Sequence, residues 1–142
     1  MITVAAALAR KKLHPVTVSP AASVLEALQV MAEKNIGSVV VMNGSNYLGI
    51  ITERDYSRKV VLNGKSSTDT LVSDIMSTDL PSVSPSDTIE HCMEIMTGQN
   101  IRYMPVFDNG ELSGIISMSD VVKETILAQR ETIHQLQSYI TS

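Results

Sequence analysis

The apolar and polar positions of this chain predict the same order of elements twice. Val16-Thr17-Val18 has the pattern of a short strand, and apolar residues at helix-face spacing follow in 24–34. A β-branched run at 37–42 then predicts a buried strand, and 47–52 predicts its hairpin partner. The pattern of 18–60 returns 65 positions later without a gap. We therefore predict an α+β fold built from two βαββα repeats, packed sheet to sheet about a pseudo-twofold axis.

Segments outside the repeated pattern complete the predicted organisation. Thr3 is placed to cap a short helix over 3–12, whose basic residues suit its C-terminal end. Residues 63–70 are rich in Gly, Ser and Thr and have the composition of a connector. We expect one repeat, with the N-terminal helix and the connector, in 1–70 and the other repeat in 71–142.

The last segment, 121–140, contains no Gly or Pro and predicts a long helix. Its apolar residues have a spacing close to that of a heptad repeat. We call five of them the C-terminal stripe: Val122, Ile126, Ile133, Leu136 and Ile140. Two interpretations remain open, because such a stripe can cover its own domain or form a contact with a second copy of the chain.

Composition and charge exclude several classes of function. The chain has 142 residues, of which 44% are hydrophobic, and it has no Trp, so we expect an aliphatic core. The net charge of −4 argues against a dominant role in binding nucleic acid or anionic membranes. No apolar run approaches the roughly 20 residues of a membrane span, and the start of the chain lacks the pattern of a signal peptide. A single cysteine cannot form an internal disulfide, which favours a cytoplasmic location.

One motif closes the second hairpin of each predicted repeat. Gly49-Ile50-Ile51-Thr52-Glu53-Arg54-Asp55 and Gly114-Ile115-Ile116-Ser117-Met118-Ser119-Asp120 share a Gly, two Ile, a hydroxyl residue and an Asp at the same spacing. A strand ends at the hydroxyl residue and a helix begins directly after it. One interpretation is a variant capping box, in which hydroxyl and carboxylate satisfy the first backbone N–H groups.

The second interpretation of this motif is a site for a nucleoside phosphate. A helix N-terminus offers unpaired N–H groups that suit a phosphate, and a neighbouring carboxylate can accept two hydrogen bonds from the diol of a ribose. Gly49 and Gly114 would let a ligand or a second stretch of backbone come close. The sequence alone leaves both interpretations open.

No other residues form a catalytic or metal-binding pattern. Cys92 lies on the apolar face of a predicted helix, which favours a buried, inert thiol over a nucleophile. His14, His91 and His134 share no metal-ligand spacing with one another or with Cys92. We therefore expect no enzyme activity and no catalytic cofactor.

The repeated motif, together with Arg102-Tyr103-Met104-Pro105-Val106, resembles a tandem pair of CBS domains, also called a Bateman module. The resemblance covers about 16–122. The run from Thr52 to Val60, with Met76 before the second repeat, is similar to small stand-alone CBS-pair proteins of bacteria and plant organelles.

The resemblance implies two clefts that bind adenine nucleotides such as AMP, ADP, ATP, NAD or S-adenosylmethionine. In each cleft, the hydroxyl residue and Asp of one repeat hold ribose and phosphate, and the first strand and the Ile-containing segment of the other repeat contact adenine. One implied site consists of Thr52, Asp55, Ser82, Ile101, Arg102, Tyr103 and Pro105. The other consists of Ser117, Asp120, Thr17, Ile36, Gly37 and Ser38.

Basic residues would distinguish the two implied sites. Arg102 and Arg54 are the candidates for phosphate contacts, whereas Arg58 and Lys123 fit a solvated helix face better. The first repeat has Gly37 where the second has Arg102. We therefore expect the two sites to differ in phosphate contacts and in affinity.

Two functional hypotheses follow from these patterns. The leading one is a regulatory sensor whose conformation or dimer geometry changes when an adenine nucleotide binds. The alternative is a ligand-independent homodimeric scaffold that regulates a partner protein. Resemblance to the plant members raises a thioredoxin-type protein as that partner, by family analogy alone.

Overall fold

The structure is a computed structural model that describes residues 2–11 and 14–141. It divides into a first unit, His14–Leu80, and a discontinuous second unit, Met1–Leu13 with Pro81–Ser142. The helices are α1 (Val4–Lys11), α2 (Val24–Lys34), α3 (Glu53–Tyr56), α4 (Val72–Ile75), α5 (Ile89–Gln99) and α6 (Met118–Thr141). The strands are β1 (Thr17–Val18), β2 (Ser38–Asn43), β3 (Asn46–Thr52), β4 (Tyr103–Asp108) and β5 (Glu111–Ser117).

The first unit has a three-stranded sheet in the order β1-β2-β3. β1 runs parallel to β2, and β2 is antiparallel to β3. Gly44, with a φ of 62°, begins the two-residue turn between β2 and β3, one residue later than the Asn-Gly pair alone indicates. α2 covers the sheet, and Ser23 caps it by accepting a hydrogen bond from the Glu26 N–H at 3.1 Å. Its core is aliphatic, as the composition predicts: Val24, Ala27, Met31, Val39, Val41, Ile51, Val60, Val72 and Ile75.

The helical segment after β3 changes from α-helical to π-helical geometry. α3 is followed by a π-helical turn, Ser57–Val61, whose end is marked by a 3.1 Å bond from Leu62 N–H to Ser57 C=O. The wider turn leaves Val60 buried and Leu62 exposed. π-helical turns are rare and commonly lie near functional groups, and this one directly follows the first motif.

The second unit departs from the predicted three-stranded repeat. β4 and β5 form a two-stranded sheet, and the expected first strand is reduced to a single parallel bridge between Val83 and Val106. In the first unit, Val40 N–H donates to Val16 C=O at 2.9 Å. The equivalent residue in the second unit is Pro105, which has no N–H to donate. The loss of this one donor explains why the strand is shorter.

α1 belongs to the unit that contains the second repeat. Val4 and Ala7 are buried in the core of that unit, and Thr3 caps the helix as predicted. The predicted division into 1–70 and 71–142 therefore differs from the compact units, because α1 packs with 81–142. The predicted last residue of this helix, Lys12, lies outside the described residues.

α6 confirms the predicted long helix, and its C-terminal half is exposed. All five residues of the C-terminal stripe are exposed, from 42% at Ile126 to 80% at Ile140. The stripe does not cover the core of its own unit, which favours the interpretation of a contact surface. Among the described residues, no helix is long and apolar enough to cross a membrane.

Candidate functional site

The first motif folds into a complete capping box at the start of α3. Thr52 Oγ1 accepts a hydrogen bond from Asp55 N–H at 3.1 Å, and Asp55 Oδ2 accepts one from Thr52 N–H at 3.0 Å. The Thr52 hydroxyl also lies 3.1 Å from Asp55 Oδ2. The capping interpretation is thus confirmed for this repeat.

The other oxygen of Asp55 is also occupied. Asp55 Oδ1 accepts a 3.0 Å hydrogen bond from the Ser77 hydroxyl and lies 3.0 Å from Lys59 Nζ. Lys59 is additionally fixed by Ile75 C=O at 2.9 Å. With only 8% of its side chain exposed, Asp55 has internal partners on both oxygens and little access to solvent.

A close approach of backbone to backbone holds Ser77 beside Asp55. Ser77 and Ile50 exchange two backbone hydrogen bonds of 2.8 and 3.0 Å. A Cβ at Gly49 would lie 2.6 Å from Ser77 C=O, so this approach requires glycine. Of the two roles predicted for Gly49, admitting a second stretch of backbone is the one observed.

The second motif has the same capping geometry but a more accessible carboxylate. Ser117 Oγ accepts from Asp120 N–H at 3.1 Å, and Asp120 Oδ2 accepts from Ser117 N–H at 2.9 Å. Lys11 Nζ, from α1, lies 3.0 Å from the same Oδ2. Asp120 Oδ1 has no hydrogen bond within the described parts of the chain, and 19% of the side chain is exposed. One carboxylate oxygen can therefore accept a hydrogen bond from a ligand.

The two repeats carry opposite charges one helical turn after the Asp. Lys59 and Glu124 stand at equivalent positions, each four residues beyond its Asp. Lys59 pairs with Asp55, whereas Glu124 Oε1 accepts from Arg10 Nε at 2.7 Å. Glu124 is 2% exposed, and its Oε2 has no hydrogen-bond partner among the residues that the structure describes.

The hairpins bring further predicted residues next to each motif. Ser38 pairs with Thr52, and Gly37 C=O accepts from Glu53 N–H at 3.2 Å. In the second unit, Tyr103 pairs with Ser117, and Arg102 C=O accepts from Met118 N–H at 2.8 Å. Each hairpin thus places its own Ile-containing segment beside its own hydroxyl residue.

The other predicted residues lie elsewhere within their units. Thr17, in β1, pairs with Val40 of β2, and Ser82 precedes the residue Val83 that bridges to Val106. Thr17, Ser82 and Arg102 are exposed; Ile36, Gly37, Ser38, Arg54, Ile101 and Tyr103 are half-buried; Pro105 is buried. Each of the two predicted ligand sets has members in both units, and that combination stays a prediction.

Several residues around the two carboxylates were not predicted from the sequence. Lys59 was detectable, because a basic residue four positions after an acid on a helix is a recognised pair. Lys11 and Arg10 had no local signal, since their partners are 109 and 114 residues away. Ser77 lies 22 residues from Asp55 and is likewise brought there by the fold.

Cys92 has the environment predicted for an inert thiol. It is 0% exposed, and burial, aided by the negative charge of Asp87, raises the pKa of its thiol to about 11. In the described parts of the chain, no group of three or more His, Cys, Asp or Glu side chains is arranged to hold a metal ion.

Comparisons with known proteins find the same repeat. Residues 5–61 and 72–126 each match the CBS domain. The chain is 37% identical, over 123 residues, to the mitochondrial CBS domain-containing protein CBSX3 of Arabidopsis thaliana, covering 83% of this chain and 60% of that protein. The chain thus spans less than two thirds of the length of this relative.

Solved structures share the fold. A CBS-domain protein from Burkholderia ambifaria MC40-6 superposes with a TM-score of 0.83 at 40% identity, covering 89% of this chain and 96% of that one. The hexameric CBS-CP12 protein from bloom-forming cyanobacteria has a TM-score of 0.69 at 27% identity, covering 88% of this chain and 82% of that one. The predicted α+β fold with two repeats and a long C-terminal helix is confirmed.

Proposed function

Because this chain belongs to the CBS-domain family and contains two such domains, we propose that it is a regulatory module that binds adenine nucleotides without catalysis. Proteins with a pair of CBS domains are in general regulatory or signal-transduction modules. The ligands that we propose are AMP, ADP, ATP, NAD or S-adenosylmethionine, as the resemblance of the motifs implies.

The observation that carries this proposal is the open oxygen of Asp120. A capping box alone needs only one carboxylate oxygen, and Asp120 uses Oδ2 for it. Oδ1 remains available among the described residues and is placed next to the N-terminus of a 24-residue helix. A ribose hydroxyl can donate to Oδ1 while the helix dipole favours a nearby phosphate. We propose that the Asp120 site binds more tightly than the Asp55 site, whose carboxylate would have to give up Ser77 or Lys59 first.

Arg102 is the proposed phosphate contact of the Asp55 site, in which the resemblance places it. Its carbonyl is fixed to Met118 N–H, beside Ser117, while its side chain is exposed and has no hydrogen bond within the described residues. A guanidinium in that state can form a forked pair with phosphate oxygens without losing an internal partner. Arg54 remains a second proposed phosphate contact of that site, and it already takes part in an interaction.

Regulation would follow from differential binding. A nucleotide shifts the module towards the conformation to which it binds more tightly, and the shift cannot exceed that difference in affinity. A protein partner that contacts the module would then respond to the change in population. The identity of that partner and the cytoplasmic location stay predictions.

The test is nucleotide binding by the wild-type protein and by Asp120→Asn, with Asp79→Asn as the control. Asp79 is exposed, has no side-chain bond among the described residues, and loses the same charge. We expect thermal shift and calorimetry to detect at least one of the five ligands at millimolar concentration or below. We further expect Asp120→Asn to weaken that binding at least tenfold and the control to leave it unchanged. Absence of binding by the wild type to all five ligands would refute the proposal.

The C-terminal stripe supports a second candidate function, homodimerisation independent of ligand. Five apolar side chains at near-heptad spacing are exposed along α6, and a second copy of the same helix would bury them. The cyanobacterial relative is described as hexameric, so assembly is known among proteins of this fold. We expect Ile133→Glu to reduce the molar mass measured by light scattering to that of a monomer, whereas Gln135→Glu, on the same exposed helix, leaves it unchanged. A wild-type protein that is monomeric at micromolar concentration would exclude the scaffold.

A further inference from the structure

We propose that α1 is a functional part of the Asp120 site, and that an anionic nucleotide binds there only while α1 is docked. This inference rests on the proposed function and adds the element that regulates the site. Three observations carry it: two ion pairs that join α1 to α6, a reversal of charge between the repeats, and a buried oxygen without a partner.

The first observation is that α1 supplies the counter-charges of two acidic residues. Lys11 Nζ lies 3.0 Å from Asp120 Oδ2, and Arg10 Nε lies 2.7 Å from Glu124 Oε1. Lys11 also donates to Ile115 C=O at 3.3 Å, so its ammonium is held at the end of β5. With α1 docked, the two cations cancel the formal charges of the two carboxylates. Without it, α6 would present two negative charges one helical turn apart.

The second observation is that the first repeat has no such dependence. Lys59, four residues after Asp55, neutralises it from within the same helical segment. In the second repeat the equivalent position is Glu124, which adds a negative charge instead of removing one. Compensation at Asp120 therefore comes from a separate helix, α1.

The third observation is the unpaired Glu124 oxygen. Glu124 Oε2 is buried and has no hydrogen-bond partner in 2–11 and 14–141, although Oε1 is paired with Arg10. Side chains on an α-helix lean towards its N-terminus, so Glu124 extends over the turn that contains Asp120. A buried carboxylate oxygen without a donor is costly, and a hydrogen-bond donor or a water that enters with a ligand would satisfy it.

Coulomb's law sets the sign of the coupling between α1 and the ligand. An anionic phosphate that approaches Asp120 and Glu124 without Arg10 and Lys11 would meet two uncompensated carboxylates at short range. We expect each uncompensated charge to lower the affinity on the order of tenfold at low ionic strength. By reciprocity, a bound nucleotide must favour the docked state of α1.

The test measures ATP affinity in two double variants. The first carries Arg10→Gln and Lys11→Gln, and the matched control carries Lys34→Gln and Lys65→Gln. Both remove two positive charges, but Lys34 and Lys65 are exposed and have no side-chain bonds within the described residues. We expect calorimetry at low salt to show at least a tenfold loss of ATP affinity in the first variant and less than a twofold loss in the second. The loss should be smaller for AMP and absent for adenosine, because only the phosphates are anionic. ATP affinity equal to or greater than that of the matched variant would overturn the inference.

Two further measurements separate this coupling from general damage to the fold. Hydrogen–deuterium exchange at 4–11 should slow when ATP is added to the wild type, since the ligand favours docking; faster exchange would show that Lys11 competes with the ligand and would refute the proposal. Glu124→Gln, introduced into the Arg10→Gln variant, should restore ATP affinity because it removes the uncompensated charge; a further loss would count against the charge argument. If the wild type binds none of the nucleotides, the proposed function fails as well. If it binds ATP with an affinity that the changes in α1 do not alter, this inference alone is refuted.

Discussion

Replacing Asp55 by Ala should cost the first unit far more stability than the equivalent Asp120→Ala change costs the second. Asp55 accepts hydrogen bonds from Thr52 N–H and the Ser77 hydroxyl and pairs with Lys59, and 6% of the residue is exposed. Loss of the capping arm alone costs about 1 kcal/mol. Loss of the Ser77 hydrogen bond to a charged acceptor adds about 1.5–3 kcal/mol.

The Lys59 pair contributes less, because 43% of the Lys59 side chain is exposed and solvent screens it. We assign it less than about 1 kcal/mol. The free energy of unfolding should therefore fall by about 2.5–5 kcal/mol in Asp55→Ala. Asp120 accepts the capping hydrogen bond and pairs with the part-exposed Lys11, but among the described residues it has no counterpart of the Ser77 hydroxyl. Asp120→Ala should therefore cost about 1–2 kcal/mol.

Urea unfolding at 25 °C, followed by circular dichroism, measures both values. If the two units unfold in separate transitions, Asp55→Ala should move one of them and Asp120→Ala the other. Equal losses of unfolding free energy for the two variants, or a loss below about 1 kcal/mol for Asp55→Ala, would contradict the interpretation that the internal partners of Asp55 stabilise the first unit. Ser77→Ala provides an independent check, because it should reproduce about half of the Asp55→Ala loss.

Four other outcomes follow from the packing around a cysteine and two glycines. The Cys92 thiol has a folded-state pKa of about 11 against an ordinary value of 9.0, so the folded state binds more protons in that range; stability should fall as pH rises from 9 to 11, and Cys92→Ala should lose this dependence. In the folded protein the thiol should resist a thiol reagent at pH 8 and react fully in denaturant. Gly49→Ala should destabilise by about 1–3 kcal/mol or more, because its Cβ would meet the Ser77 carbonyl at 2.6 Å. Gly98→Ala, in α5 with nothing within 4 Å of the new Cβ, should instead stabilise by about 0.5–1 kcal/mol in the same urea assay.

The fold was largely accessible from the sequence because its signals are local. Helix caps at Ser23 and Thr88, the left-handed Asn35 and Asn100, and apolar spacing along each element act over a few residues. The gap-free repeat then links the two halves without any knowledge of long-range contacts. The shortened first strand of the second repeat also has a local cause, since Pro105 cannot donate the bond that Val40 donates.

The environment of the two carboxylates was not accessible in the same way. Capping geometry predicts the hydrogen-bond partner of one oxygen of each Asp, and this prediction was confirmed at Thr52 and Ser117. The second oxygen depends on residues that the fold brings from other segments, such as Ser77 and Lys11. Sequence spacing therefore predicted the same capping geometry at both Asp residues and placed the difference between the sites in their basic residues. In the structure, Asp55 has internal partners on both oxygens, whereas Asp120 has them on Oδ2 alone among the described residues.

This asymmetry originates in the segment that completes each repeat. Leu71 bridges to Ser23 in the first unit as Thr3 bridges to Thr88 in the second, so α4 and α1 have equivalent places. Met76, after α4, approaches Gly49, and Leu8, in α1, approaches Gly114.

α4 and α1, which complete the first and the second repeat, differ in charge. α4 has no basic residue in its last turn, and α1 ends in Arg10 and Lys11. The helical segments after the two motifs have the complementary difference. Lys59 donates to Ile75 C=O at the end of α4, and Glu124 pairs with Arg10 at the basic end of α1. Each unit thus keeps its Asp neutralised, but only in the second does neutrality depend on a separate helix at the start of the chain. A duplicated unit with identical motif spacing thus has one carboxylate that is neutralised from its own helical segment and one that is neutralised from a separate helix.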